Sequence, residues 1–270
     1  MRLTRHDQDL GLRPLTARSL VVSMLLGTHP PRLPAHALVS SAALFGISEG
    51  ACRTALSRLV ASGEITNDDG WYALGADLIN RQRSQDVGRA TRPTPWDGRW
   101  RTLIVTAERR SATDRTDARS RLRSARFAEL REGIWTRPNN LPESPVVADL
   151  AGRGWLAAEV TFDDGLDPED LWPLARWRHT AIGLHTLIEQ LTPRLEQDDP
   201  SDLAKGFLVA AAGLRQFKSD PLLPDEVLPA TWPGAEFREA YDRFDQSYRR
   251  VLRQFLQEAK GQTDAGQTCG

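Results

Sequence analysis

The sequence lacks the residues from which disulfide frameworks and zinc sites are built. It contains two cysteines, Cys52 and Cys269, and neither belongs to a Cys-x-x-Cys motif or to a Cys/His cluster. This pattern argues against structural zinc and is typical of a protein from a reducing cytosol. The five histidines show no metal-ligand spacing, so we expect neither a metal ion nor a resident cofactor.

Long apolar runs and common catalytic motifs are missing as well. Leu20 to Leu26 is too short to cross a bilayer, and Met1 to Leu10 has no apolar signal-peptide segment. The motifs G-x-S-x-G, G-x-x-x-x-G-K-[ST] and G-x-G-x-x-G do not occur, although they mark many nucleophile and phosphate-binding sites. We therefore expect a cytoplasmic protein that is not an enzyme and has no membrane partner.

Positive charge in the first half of the chain is carried by arginine alone. Residues 1–137 contain 22 arginines, no lysine and 14 acidic residues, a net charge of +8, whereas residues 138–270 have a net charge of -9. A basic first half favours contact with a polyanion such as DNA. An arginine-rich solvated surface is the alternative interpretation.

Hydrophobic spacing and capping residues predict helices in the N-terminal part of the chain. Thr16 and Ser48 are typical N-caps that precede apolar residues at helical spacing. We expect helices at 17–26, 35–45 and 49–61.

The segments between and after these helices predict a linker, a short turn and a β-hairpin. The proline-bearing segment 30–34 is interpreted as a linker, and Phe45 to Ser48 as a short turn between helices. Two β-prone runs, 64–67 and 71–74, flank an Asp-Gly turn and predict a hairpin. The order is that of a winged helix-turn-helix DNA-binding domain, assigned to residues 1–79.

The rest of the chain predicts an α+β multidomain protein. We interpret 80–95 as a linker and 96–165 as a ferredoxin-like central domain. A mainly helical C-terminal domain is expected over 166–260, followed by a disordered tail at 261–270. The expected central elements are strands at 100–106, 133–136 and 155–162 and a helix at 115–128.

The last predicted helix, 235–259, carries aromatic and apolar residues at alternating four- and three-residue steps. These residues are Phe237, Tyr241, Phe244, Tyr248, Val251 and Phe255. Such a seam indicates packing against another helix, either within the same chain or in a coiled-coil dimer.

The third predicted helix is the candidate for reading DNA, because a recognition helix places its N-terminal part near base edges. Arg53 offers a bidentate contact to guanine, worth ~1–3 kcal/mol of discrimination, and small residues permit close approach. The alternative is that its arginines only cover a solvated face, and the wing tip Asp68-Asp69-Gly70 is unfavourably acidic. The candidate DNA-binding residues are Ser48, Glu49, Gly50, Ala51, Arg53, Thr54, Ser57, Arg58 and Gly70.

A series of segments resembles the PaaX family of phenylacetate-pathway repressors, in the family's order. These segments are Ala43 to Gly50 with Arg53 and Ala55 to Leu59; Trp96 to Trp100; Leu130 to Leu141; and Asp220 to Pro224 with Leu228 to Gly234. The resemblance implies a winged-helix head, a central domain similar to the ferredoxin-like CRISPR adaptation nucleases, and a helical C-terminal domain. It also implies a homodimer on a palindromic operator in double-stranded DNA.

In the name-giving members of that family the inducer is phenylacetyl-CoA, so the resemblance implies an acyl-CoA-like small-molecule effector. The sequence does not locate its pocket. Arg176, Arg178, Arg215, Lys218 and the arginine-rich helix 115–126 are available for phosphates. Trp172, Trp177 and Trp232 are available for an aromatic acyl group, with core packing as the alternative.

Other functions stay open beside the repressor. One is a metal-dependent nuclease built on the central domain, although the first strand there ends Val105 to Glu108, without the aspartate that such nucleases use to hold a metal. Another is a winged-helix module that binds a protein rather than DNA, which the acidic wing tip favours.

Overall fold

The computed structural model describes residues 3–90, 93–107, 111–163 and 165–267, with side chains described outside 84–90 and 259–267. The chain forms two compact units. The first unit comprises Met1–Arg89, Thr180–Arg215 and Gly234–Gly270, and the second comprises Ala90–His179 and Gln216–Pro233. The helices expected to form a separate C-terminal domain are therefore divided between the two units.

The N-terminal helices have nearly the bounds that the sequence predicts. After α1 (Arg5–Asp9), they are α2 (Ala17–Leu26), α3 (Ala35–Leu44) and α4 (Glu49–Ala61). The Thr16 hydroxyl oxygen accepts a hydrogen bond from the Ser19 backbone N–H, and Ser48 accepts one from Ala51 at 3.3 Å. The three helix predictions are confirmed: side-chain caps mark the starts of α2 and α4, whereas α3 begins after Pro34 without a side-chain cap.

A small antiparallel sheet joins these helices. Its strands are β1 (Arg32–Pro34), β2 (Ile65–Asp68) and β3 (Trp71–Leu74), in the order β1-β3-β2. Asp69 and Gly70 have φ of 45° and 78°, as the predicted two-residue hairpin turn requires. The linker interpretation of 30–34 was wrong at β1. A three-residue edge strand is too short to show alternation, and its edge position tolerates proline.

The apolar faces of the three N-terminal helices form one core. α2 packs on α3 and α4, and Ile65 and Leu74 close the core from the sheet. Its buried residues include Leu20, Val21, Leu25, Leu38, Ala42, Cys52, Leu56 and Leu59. This arrangement turns the other side of α4 towards solvent.

The predicted linker at 80–95 is helical up to residue 90, as part of α5 (Ala76–Ala90). The buried side-chain amide of Gln82 donates hydrogen bonds to the carbonyls of Leu25, Leu26 and Thr28, at 3.4, 2.8 and 3.0 Å. This tertiary anchor docks α5 on the C-terminal end of α2, and a polar sequence gives no sign of it.

Long helices complete the first unit, and the first two of them also contribute residues to the second. They are α9 (Leu174–Glu196), α10 (Leu203–Ser219) and α11 (Gly234–Gln267). α11 extends to residue 267, whereas the sequence analysis expected a disordered tail from residue 261.

The aromatic seam of α11 is buried within one chain. Tyr241 and Tyr248 face Gly213 and Gly206 of α10, where an added Cβ would lie 2.4 and 3.0 Å from the rings. Phe237, Phe244 and Val251 are also buried. The seam therefore packs on its own chain rather than serving as a coiled-coil dimer surface.

The second unit contains a four-stranded antiparallel sheet. Its elements in chain order are β4 (Trp100–Val105), α6 (Ala112–Ser124), β5 (Ala128–Arg131), β6 (Ile134–Pro138), α7 (Pro145–Ala151) and β7 (Trp155–Val160), and a short α8 (Pro168–Leu171) follows. The strands lie in the order β5-β6-β4-β7. The sequence analysis missed β5, which alternates apolar and charged residues for only four positions, and α7, which begins at a proline.

Tryptophans fill the core of this unit. Trp172 lies in a buried cluster with Trp100, their rings stacked at 6.4 Å, and Trp177 stacks on Trp232 at 4.5 Å. The Trp177 indole N–H donates to the Gln216 carbonyl at 3.1 Å. Packing, rather than an open acyl pocket, therefore accounts for these side chains.

Candidate nucleic-acid interface

The solvent-facing side of α4 carries the residues that the sequence predicted for DNA contact. The opposite side is buried at Cys52, Ala55, Leu56 and Leu59. The exposed residues are Ser48, Glu49, Gly50, Ala51, Arg53, Thr54, Ser57 and Arg58. The helix is thus anchored on one side and free on the other, as a groove-binding helix must be.

Arg53 and Glu49 form an ion pair at the start of this surface. The Arg53 Nε and Nη2 atoms both lie 2.7 Å from Glu49 Oε1, and the side chains remain 62% and 59% exposed. Exposed pairs at this spacing contribute about 0.3–0.5 kcal/mol. The guanidinium can therefore exchange this partner for a base edge at small cost.

Thr54 and Arg58, on the same face, differ in whether their polar groups have a partner within the protein. The Thr54 hydroxyl donates to the Gly50 carbonyl at 2.8 Å, so its oxygen is left as an acceptor. Among the described residues no side chain pairs with Arg58, whose guanidinium is exposed. Arg58 is accordingly well placed for a phosphate, which an extended cation can reach from a helix face.

Gly50 is not required by the protein's own packing. A Cβ built there would meet no atom within 4 Å. Its small size therefore leaves open space on the exposed side of the helix start, where a partner surface can approach the backbone.

The turn before α4 is held by its own backbone conformation and by a contact with α10. Gly46 has φ of 67°, a conformation that favours glycine, and the Ile47 N–H donates to the Ala42 carbonyl at 3.0 Å. The Phe45 ring meets the Phe207 ring of α10 edge to face, with centroids 5.4 Å apart. α10 therefore contacts the turn between α3 and α4 directly.

The hairpin sheet carries a basic residue, Arg32, that the sequence analysis missed and that lies beside the exposed ring of Trp71. The Arg32 guanidinium carbon lies 4.8 Å from the centroid of Trp71, which is 42% exposed, and Arg32 Nη2 lies 3.8 Å from Asp68 Oδ2. Gly70 is exposed at the tip, and its N–H donates to Asn67 Oδ1 at 3.2 Å. Arg32 partly offsets the acidic tip, and it escaped notice because its segment was interpreted as a linker.

Outside this surface, the described residues contain no cluster of histidine, cysteine and acidic side chains that could hold a metal ion. None of the helices in the described ranges is long and apolar enough to cross a membrane. Burial raises the pKa of Cys52, whose thiol contacts the Leu38 carbonyl in the core.

Comparison with known families places this arrangement among related proteins. Residues 16–77 match the family model for PaaX-like proteins, 93–163 match the PaaX central Cas2-like domain, and 172–258 match the PaaX-like C-terminal domain. The chain belongs to the PaaX family. The first matched region covers α2 to β3 of the first unit, and the second covers the four-stranded sheet.

Relatives of this PaaX-family chain are similar over most of their length. The transcriptional repressor PaaX of Escherichia coli K12 is 26% identical over 94% of this chain and 87% of its own. A solved structure, the uncharacterized protein Rv0674 from Mycobacterium tuberculosis, is 36% identical with a TM-score of 0.67. It covers 89% of this chain and 98% of its own. The named relative is a regulator and not an enzyme, in agreement with the absence of catalytic motifs.

Proposed function

We propose that this chain is a transcriptional repressor that binds double-stranded DNA sequence-specifically through α4. The observation that carries the proposal is the exposed, arginine-bearing face of a capped helix whose opposite face is buried. The name of the Escherichia coli relative supports the same function. In this role the protein would act in the cytoplasm.

Two finer fold assignments are part of this proposal, and the order of the elements supports them. Helices and strands in the order α2, β1, α3, α4, β2, β3 correspond to a winged helix-turn-helix, with α4 as recognition helix and the hairpin as wing. In the second unit, the order β-α-β-β-α-β and the sheet order β5-β6-β4-β7 correspond to a ferredoxin-like fold.

Family resemblance supplies the remaining parts of the proposal. They are a homodimer on a palindromic operator, control of an aromatic-acid or acyl-CoA catabolic operon, and release by an acyl-CoA-like effector. Helix-turn-helix dimers read half-sites about one helical turn apart. Two α4 helices at that separation would engage successive major grooves on one side of the duplex.

Binding to the DNA upstream of the protein's own gene tests the proposal. Fluorescence anisotropy with this fragment and with a scrambled fragment of equal length should show preference for the former, with affinity falling steeply as salt rises. Folded protein that binds neither fragment at low salt would reject the repressor function. The nuclease alternative predicts cleavage of DNA or RNA with magnesium or manganese; its strand-end residue Glu108 lies outside the described residues.

A further inference from the structure

Residues 3–12 form an N-terminal strap, made of α1 and the turn after it, which lies before the first region matched to the family, 16–77. The Thr4 hydroxyl oxygen accepts a hydrogen bond from the Asp7 N–H at 3.1 Å, and Asp7 Oδ2 accepts one from the Thr4 N–H at 2.9 Å. Gly11, in the turn, has φ of 81°, a conformation that favours glycine. Because a five-residue helix is not stable alone in water, the order of the strap depends on the surface against which it packs.

Leu10 docks the strap on α9 in a notch that a glycine leaves open. The Leu10 side chain is 1% exposed. A Cβ added to Gly183 of α9 would lie 2.3 Å from Leu10 Cδ2 and 3.0 Å from its Cδ1. The backbone at Gly183 is helical, and glycine weakens a helix. The space that Leu10 occupies, rather than the backbone conformation, therefore accounts for a glycine at this position.

The strap also lies along α10. The Arg215 Nη2 atom donates to the Gly11 carbonyl at 2.7 Å. Burial would raise the pKa of Asp7, but its hydrogen bonds with Thr4 and the nearby charge of Lys205 lower it, so the Asp7 carboxylate is also attracted to α10. Lys205 and Arg215 are ten residues apart in α10, about 15 Å along the helix axis. The strap is therefore tied to α10 at two points almost three turns apart.

Between these two points, α10 carries the residue that contacts the turn before α4. Phe207 lies between Lys205 and Arg215 in the sequence. Its ring meets the ring of Phe45 edge to face, with centroids 5.4 Å apart. The energy of such a pair depends on the distance and angle between the rings, so a shift of α10 changes the support that the turn receives. The strap is in this way connected through α10 to the start of α4.

We propose that the strap is a positioning element for DNA recognition. Leu10, seated on Gly183, holds α10 where Phe207 supports the turn before α4, and the strap itself does not touch DNA. A recognition helix discriminates between sequences only when the residues behind it fix its orientation. This role rests on the proposed repressor function, whereas the docking of the strap on α9 and α10 does not.

DNA binding by Leu10→Ala tests the positioning role. Anisotropy titrations on the upstream and scrambled fragments give the ratio of the two affinities, which a smaller fraction of folded protein alone leaves unchanged. We expect the affinity for the upstream fragment to fall about five- to tenfold, in the lower range of coupling between sites. The affinity for the scrambled fragment should change less than about twofold, because no charge is removed. Gln8→Ala, at an exposed position of the same strap, is the matched control and should alter neither affinity.

A double-mutant cycle tests the route through α10. Phe45→Leu removes the ring contact with Phe207 but keeps an apolar side chain in the turn. If the strap acts through this contact, the combined variant Leu10→Ala with Phe45→Leu should lose little more affinity for the upstream fragment than Phe45→Leu alone. A strap that only stabilises the fold predicts that the two fold-losses multiply.

Hydrogen exchange without DNA tests the docking itself. In the strap the Leu10 N–H donates to the His6 carbonyl at 3.1 Å and the Gly11 N–H to the Gln8 carbonyl at 2.9 Å, so exchange of these amides reports release. Gly183→Ala, and independently Leu10→Ala, should speed their exchange about tenfold or more, because the packing of position 10 on α9 is lost. Gly50→Ala is the control, since its Cβ meets open space, and should leave exchange of the strap unchanged.

Three outcomes would overturn the positioning role. They are an unchanged affinity ratio in Leu10→Ala, full multiplication of the losses with Phe45→Leu, and unchanged exchange of the strap in folded Gly183→Ala. A wild-type protein that binds neither fragment would instead reject the repressor function before any variant is compared, and the exchange experiment would then still decide whether the strap is docked.

Discussion

Replacement of Arg53 by alanine separates a base-reading role from a merely electrostatic one. In the free protein this side chain is 62% exposed and contacts Glu49, a pair that contributes about 0.3–0.5 kcal/mol. Alanine regains part of this through its higher helix propensity. We therefore expect the free energy of unfolding to change by less than about 0.5 kcal/mol.

The effect on DNA binding should be much larger. Loss of a bidentate contact to guanine costs about 1–3 kcal/mol, which is about five- to 150-fold in affinity for the upstream fragment. Arg243→Ala is the matched control, because Arg243 is 59% exposed and pairs with Glu189 at 3.0 Å in the same unit. Anisotropy titrations on specific and scrambled DNA measure both variants. Equal weakening on both DNAs, or equal weakening by Arg243→Ala, would refute the base-reading role.

The other predictions concern glycine positions and the wing. Gly50→Ala should raise the free energy of unfolding by up to about 0.5–1 kcal/mol, because its Cβ meets open space, yet weaken DNA binding by obstructing close approach. Gly213→Ala should lower the free energy of unfolding by about 1–3 kcal/mol, because the Cβ would lie 2.4 Å from the Tyr241 ring. Thermal unfolding measures both variants, and a change of the same sign in both would contradict the packing described for these glycines. Arg32→Ala should reduce the affinity for specific and scrambled DNA alike. It should also make the slope of log affinity against log salt concentration shallower by about one, and an unchanged slope would exclude a phosphate contact by Arg32.

Local signals explain why the bounds of α4 and of the hairpin could be predicted. Ser48 caps α4, Gly46 permits the turn, and Asp69-Gly70 fixes the hairpin, so each boundary is encoded within a few residues. The sequence analysis listed Glu49 and Arg53 as separate candidates, although their spacing of four residues on a helix predicts the ion pair that the structure contains.

Contacts between distant segments explain what the sequence did not predict. The Gln82 amide joins α5 to the end of α2, and the ring of Phe207 on α10 contacts the ring of Phe45 in the turn before α4. Neither contact leaves a periodic pattern in the sequence from which it could be predicted.

Site-specific photocrosslinking to DNA tests most directly whether α4 reads the duplex. A photoreactive amino acid at position 57, on the exposed face of α4, is compared with one at position 243, on α11. We predict efficient crosslinking to the upstream fragment from position 57 and little from position 243, with loss of the crosslink when unlabelled specific DNA competes. Protein that binds the fragment specifically but crosslinks only from position 243 would contradict the assignment of α4 as the DNA-reading helix.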